Sequence, residues 1–190
     1  MNPTSAFLIV DVQNDFCPGG ALPVPEGDKV VPVINDIISV CVGRKMPIFA
    51  SRDWHPPNHC SFKEQSGPWP AHCVQSTKGA EFHYKLRLPQ NYYTLISKAT
   101  KSDTDSYSAF GGTDLEEQLR ETGIKKLFIG GLALDYCVKA TALDGNKIGF
   151  DVVVFENATR AVNINPDDGW HAKVEMWDTG IKIMDFPEFN

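Results

Sequence analysis

Short β-branched or aromatic runs alternate with helical patterns along almost the whole of this chain. Before any other feature, that alternation restricts it to an α/β fold with a parallel sheet. Residues 6–10 (AFLIV), 47–50 (PIFA), 126–129 (KLFI), 152–155 (VVVF) and 182–184 (KIM) read as strands, with 94–96 (TLI) a weaker sixth. Between them, Val30, Val33, Ile34, Ile37, Ile38 and Cys41 recur on one face of a helix, early enough after its start for Pro32 to be tolerated. The segment TDLEEQLRETG predicts a second helix, with Thr113 and Glu116 as a capping box and Gly123 as its stop. Asp135 is placed to cap a third that runs through Cys137 toward Lys147, and Trp170, Val174 and Trp177 mark the apolar face of a last one ending near Gly180. Helices of this length between strands predict right-handed crossovers. The expectation is therefore one doubly wound domain over residues 1–190, with about six mainly parallel strands and helices on both faces.

Composition narrows the function. Eighteen basic against 24 acidic residues leave a net charge of -6 with no polybasic run, a poor match for nucleic acid or an anionic membrane. The opening MNPTSAFLIVDVQNDF has no basic leader, and its apolar run is too short for a secretory or membrane-spanning segment. Five cysteines with no C-x-x-C pair read as free thiols in a reducing compartment, so a cytoplasmic protein is expected. Self-association into a homo-oligomer is left open.

Four polar residues occupy one topological position. Asp11 follows the first apolar run, Asp53 the second and Lys98 the weak third, while Cys137 follows the strongest in LFIGGLALDYC. Strand ends of an open parallel sheet share one edge, where ligands bind, so these groups should converge. Cys137 is expected in the first turn of a helix, where free N–H groups and a nearby lysine stabilise a thiolate and a carboxylate takes its proton. The glycines at 130 and 131 let the chain turn so that the amides of Ala133 and Cys137 face one oxyanion. Cys17, Cys41, Cys60 and Cys73 read instead as small core hydrophobes.

Residues 53–93 break the alternation. This stretch holds four of the five histidines and is rich in proline and glycine, and a loop of that length in a compact domain is usually functional. Asp53 and His55, two apart in an extended segment, project to one side, and His72 arrives from the far end. Two imidazoles and a carboxylate suit a divalent transition metal with positions left for water and substrate. Ser61 or Glu64 would approach through water, His59 and His83 are weaker candidates, and His171 reads as plain helix surface. Phe16, Trp69, Tyr107 and Tyr136 each lie near one of these groups and would wall a slot for a flat ring.

The blocks DVQNDFCPGGAL, SRDWHPPNHCSF, WPAHCVQSTKGAEFH, DSYSAF and GLALDYCV, in that order, resemble those of the nicotinamidases (pyrazinamidases), cysteine hydrolases of the isochorismatase-like fold. The resemblance implies a triad of Asp11, Lys98 and Cys137, and Asp53, His55 and His72 as ligands of zinc, iron or manganese. A further contact from Ser61 or Glu64 stays open. It also implies a cis peptide between Leu132 and Ala133, and hydrolysis of nicotinamide to nicotinate and ammonia through a cysteine thioester, in NAD salvage. Leu134 stands where relatives commonly have threonine. A related cysteine amidohydrolase acting on another carboxamide or an N-carbamoyl compound is the nearest rival, but such relatives generally lack the D-W-H block and the later histidine. A non-catalytic nucleotide-binding module is disfavoured, because neither a G-x-G-x-x-G nor a G-x-x-x-x-G-K-[ST] cradle is present.

Overall fold

The computed structural model describes residues 4–187. Six strands form one wholly parallel sheet: β1 (Ser5–Val10), β2 (Ile48–Asp53), β3 (Tyr93–Lys98), β4 (Lys126–Leu132), β5 (Asp151–Arg160) and β6 (Lys182–Met184), in the order β3-β2-β1-β4-β5-β6. That order reverses between β1 and β4, the place where a doubly wound sheet opens a crevice at its carboxyl edge. Every strand expected from the sequence is present. Those flanking the site run further than their apolar cores, so Asp53 and Lys98 are the last residues of β2 and β3 rather than the first beyond them.

Alternation along β1 divides the core in two. Phe7 and Ile9 pack with α1 (Val30–Gly43) on one face, while Ala6, Leu8 and Val10 pack on the other with α2 (Leu115–Glu121), α3 (Lys139–Lys147) and α4 (Asp168–Asp178). Period-two side chains of a strand covered on both sides account for this near-continuous apolar run. Val30, Ile34, Ile37, Ile38 and Cys41 are buried as the helical spacing predicts, and Pro32 lies in the first turn of α1, where its missing N–H costs nothing.

Three local expectations are corrected. Thr113 and Glu116 do not form a capping box: α2 begins after Asp114, and the Thr113 hydroxyl donates to the Ala109 carbonyl while accepting from the Leu115 amide. Asp135 does not cap its own helix. Residues Leu134–Val138 form a π-helical turn ahead of α3, and the Asp135 carboxylate instead accepts the amides of Val162 and Asn163, both at 2.9 Å. On α4 the buried side is Gly169, Ala172 and Met176, while Trp170 and Trp177 are exposed and lie edge-to-face against each other. The approach is closest at Gly169, where a Cβ would meet the Ala161 side chain at 2.8 Å. His171 is exposed, as expected.

All five cysteines are free, and Cys17, Cys41 and Cys73 are buried while Cys60 is half-buried. Among the described residues, no helix is long and apolar enough to cross a membrane.

The Gly130–Gly131 pair lets β4 carry its turn close against β1. Gly131 has φ +133°, and a Cβ there would overlap the Val10 carbonyl, whereas Gly149, at φ +98°, has open space around it. Gly131→Ala should therefore cost about 3 kcal/mol or more of stability, backbone strain adding to overlap, against about 1–2 kcal/mol for Gly149→Ala, which meets strain alone. Urea denaturation midpoints check the difference, and equal losses would contradict it.

Candidate active site and metal centre

The carboxyl edge of the sheet brings the four strand-end residues together. Asp11 directly follows β1 with a left-handed φ of 48°, where the chain turns away from the sheet. Lys98, from β3, is 1% exposed. Its Nζ lies 3.1 Å from Asp11 Oδ2, contacts Asp53 Oδ1, donates to the Ser106 carbonyl at 3.1 Å, and comes within 3.6 Å of Cys137 Sγ. Asp11, Asp53 and Cys137 each offer an atom within 4.8 Å of the others. Asp11 Oδ1 accepts from the Ser51 hydroxyl at 2.7 Å, whereas Oδ2 faces the ammonium without a hydrogen bond.

Burial and charge divide the labour among these groups. Burial, aided by the neighbouring Asp53 charge, leaves the Asp11 carboxyl above its ordinary value despite Lys98. Burial also raises Asp53, but the adjacent Lys98 charge outweighs it and holds that carboxyl well below the usual range. Burial lowers Lys98, yet the charges of Asp11 and Asp53 raise it well above an ordinary lysine, so it stays protonated. Two nearby carboxyl groups pushed apart in this way are suited to different roles, one to exchange a proton and one to remain an anion.

Cys137 is a correction. The sequence suggested a thiolate favoured by a helix start and a lysine, but burial raises the thiol well above its ordinary value, and Asp11 and Asp53 add to that against Lys98 alone. The resting group is a thiol beside a base. Its π-turn is held by the Ala133 carbonyl, which accepts from Tyr136 at 3.1 Å and Val138 at 3.0 Å, and the Leu132–Ala133 peptide is cis, as the resemblance implied.

Across from the thiol, Asp53, His55 and His72 offer ligand atoms within 4.8 Å of one another, all three residues buried. Each imidazole is oriented through its other nitrogen. His55 Nδ1 bonds the Ala99 carbonyl at 3.2 Å and His72 Nδ1 the Pro70 carbonyl at 2.8 Å. A carbonyl only accepts, so Nδ1 carries the proton in both rings and Nε2 presents its lone pair. His55 Nε2 lies 3.6 Å from Asp53 Oδ2, and burial keeps His72 below its ordinary value, hence neutral. Two lone pairs and an anion converging in a buried site fit a divalent cation.

The remaining candidates separate cleanly. His59 uses both nitrogens, bonding Ser61 Oγ at 2.7 Å and the Thr104 carbonyl at 3.1 Å, and its ring stacks on His55 with centroids 4.1 Å apart. It buttresses that ring and has no lone pair to spare. Ser61 is thus engaged by His59, and Glu64 is exposed on a single 3-10 turn and outside the three-residue group. His83 lies in a different groove beside Tyr84.

All four predicted aromatics line one cavity with Asp53, His72, Ala133 and Cys137. Phe16 packs on His72 with centroids 5.6 Å apart. Trp69 and Tyr107 both meet Tyr136 edge-on, and Trp69 Nε1 donates to Tyr107 Oη at 3.0 Å. Leu22, Val24 and Val162 complete the wall. Nothing marked these three in the sequence beyond their nearness to a glycine-rich turn and a strand end.

The isochorismatase domain model matches residues 5–186. A curated nicotinamidase of Escherichia coli (strain K12) is 43% identical, over 95% of this chain and 94% of its own. The pyrazinamidase of Pyrococcus horikoshii, solved in complex with zinc, superposes with a TM-score of 0.92 at 50% identity, over 97% of this chain and all of that one. A protein of L. infantum solved in complex with nicotinate gives 0.87 at 36% identity, over 97% and 94%.

Replacing Lys98 by Met strands two buried carboxyl groups. The metal-free variant should lose about 3–5 kcal/mol near neutral pH. Asp53, held low in the folded protein, contributes stability above the ordinary carboxylate value and loses it as pH falls, whereas protonation relieves the variant. The gap between the two urea midpoints should therefore narrow on acidification, and a gap that widened would contradict this charge arrangement.

Proposed function

From the premise that this chain belongs to the isochorismatase family, we propose that it is a nicotinamidase, hydrolysing nicotinamide to nicotinate and ammonia, and pyrazinamide likewise. The observation that carries the reading is one cavity in which a thiol, a carboxyl group and an ammonium meet beside three convergent metal-ligating atoms. The likeness to curated nicotinamidases along nearly the full chain supports it.

In this reading the aromatic walls, Phe16 with Trp69, Tyr107 and Tyr136, hold the flat ring so that the carboxamide carbon lies over Cys137 Sγ, a positioning effect. Asp11 Oδ2, facing the site without a hydrogen bond, takes the thiol proton as sulfur attacks. Lys98 then balances the negative charge that proton loss leaves on the sulfur and keeps Asp53 an anion. The amides of Ala133 and Cys137 receive the oxyanion. Asp11 returns the proton to the departing ammonia, leaving a thioester, and then draws a proton from the water that hydrolyses it, so that nicotinate leaves and the thiol is restored. Asp53, His55 and His72 would hold a divalent metal, zinc from the donor set and the zinc-bound relative, with iron or manganese the alternatives. When bound it would supply an electrophilic position for the ring nitrogen. Ser61 and Glu64 would reach that centre only through water. A role in NAD salvage, in the cytoplasm and as a single domain, follows from the same reading.

Cys137→Ala should lower turnover by at least about 10³-fold, beyond the 10²–10³ typical of losing one oxyanion donor, while nicotinamide still binds. Mass spectrometry of a quenched reaction should find the acyl group on Cys137 and not on Cys73. Appreciable turnover by the variant would refute the nucleophile. Complete metal removal should weaken nicotinamide binding and turnover together, measured by calorimetry and ammonia release. Unchanged affinity would refute the metal's part in holding the ring.

A further inference from the structure

Gln13 belongs to the first block of the sequence but has no part in the reaction above, although it is fully buried. Its position answers a gap in the sheet. β1 pairs with β2 only as far as Val10 opposite Ser51, and the positive φ of Asp11 then takes the chain away. β2 continues two residues further, still paired with β3 through Asp53 opposite Lys98. On its other side the backbone of Asp53 would be left with a buried N–H and C=O unmet, a cost of about 1–3 kcal/mol per group.

The Gln13 side chain fills that place as a peptide group of β1 would. Its Oε1 accepts the Asp53 N–H at 2.8 Å, and its Nε2 donates to the Asp53 carbonyl at 2.8 Å and to the Ala80 carbonyl at 2.9 Å. The Gln13 backbone is fixed in turn, donating to the Asp11 carbonyl at 2.8 Å and bridging Phe82. Both faces of the amide are used in the sense its chemistry requires, acceptor to N–H and donors to carbonyls.

We propose that Gln13 is a positioning residue for the metal centre: its amide replaces the missing strand beside Asp53 and so sets where the Asp53 carboxylate stands relative to His55 and His72. The inference rests on the metal reading given above. Groups that orient a ligand typically account for 10–100-fold in metal affinity, and glutamine is singular here, since no other side chain of its length offers one acceptor and two donors on one planar head.

The test is zinc affinity by chelator competition, alongside the visible spectrum of the cobalt-substituted protein, for the wild type, Gln13→Met and Gln13→Glu. Met keeps the length without polar atoms. Glu keeps the shape and one acceptor but turns a second oxygen toward two carbonyls. Both variants should bind zinc about 10–100-fold more weakly, with an altered cobalt spectrum and with turnover recovering as zinc is added in excess. Zinc affinity within twofold of wild type, in a variant that unfolds cooperatively, would overturn the proposal. If neither variant unfolds cooperatively, the residue serves the fold as a whole and the proposal also fails. A wild-type protein that bound no zinc or cobalt would instead overturn the metal reading itself, an outcome distinguishable from the others.

Discussion

One buried ammonium holds this site together. Lys98 stands among two carboxylates and a thiol with almost no solvent, where either carboxylate alone would carry a heavy desolvation penalty. Its charge lets Asp53 remain an anion for a cation on one side, and brings Asp11 within range of accepting a proton on the other. The two carboxyl groups differ in their balance: Lys98 outweighs burial at Asp53, whereas at Asp11 burial and the neighbouring Asp53 charge outweigh Lys98. The same lysine therefore joins two chemical functions that would otherwise need separate pockets.

The sheet makes that junction cheap. All six strands are parallel and reverse order between β1 and β4, so the carboxyl ends of β1, β2, β3 and β4 open on one crevice without any long-range adjustment of the chain. Asp11 and Cys137 stand on either side of the switch point, and Asp53 with Lys98 on the next two strands. The close contact of β4 with β1 requires a residue without a side chain at Gly131. Three backbone irregularities stand where functional groups are aimed: the positive φ at Asp11, the π-turn around Cys137 and the cis peptide before Ala133.

The long connection between β2 and β3 is held as firmly as a regular element. Bridges join His55 to Val74 and Phe62 to Trp69, and the Asp15 carboxylate takes the amides of Cys73 at 2.7 Å and Ala21 at 3.1 Å. The loop bearing His72 is thereby tied to the turn bearing Phe16. His59 adds a stacked wall behind His55 and a bond to the Thr104 carbonyl, a few residues before Tyr107. The residues that would hold a metal and the aromatic walls thus share supports, so a shift in one would be felt by the other.

Much of this was legible in the chain. Apolar runs of strand length and an i, i+3, i+4 helix determined the α/β class, and polar residues at the ends of those runs pointed to Asp11, Asp53, Lys98 and Cys137. Histidine and proline crowding marked His55 and His72. Those signals are local, set by side-chain period and by chain chemistry. Three things were decided only by tertiary contact. The thiol at 137 is protonated at rest because burial and two carboxylates outweigh one lysine. The tryptophans of α4 face outward because the side of that helix turned to the core carries Gly169, Ala172 and Met176. Gln13 gains its place from a strand that stops two residues before its neighbour. Each depends on what lies across space rather than along the chain, and desolvation, fit and the pairing of backbone groups are all properties of the assembled surroundings.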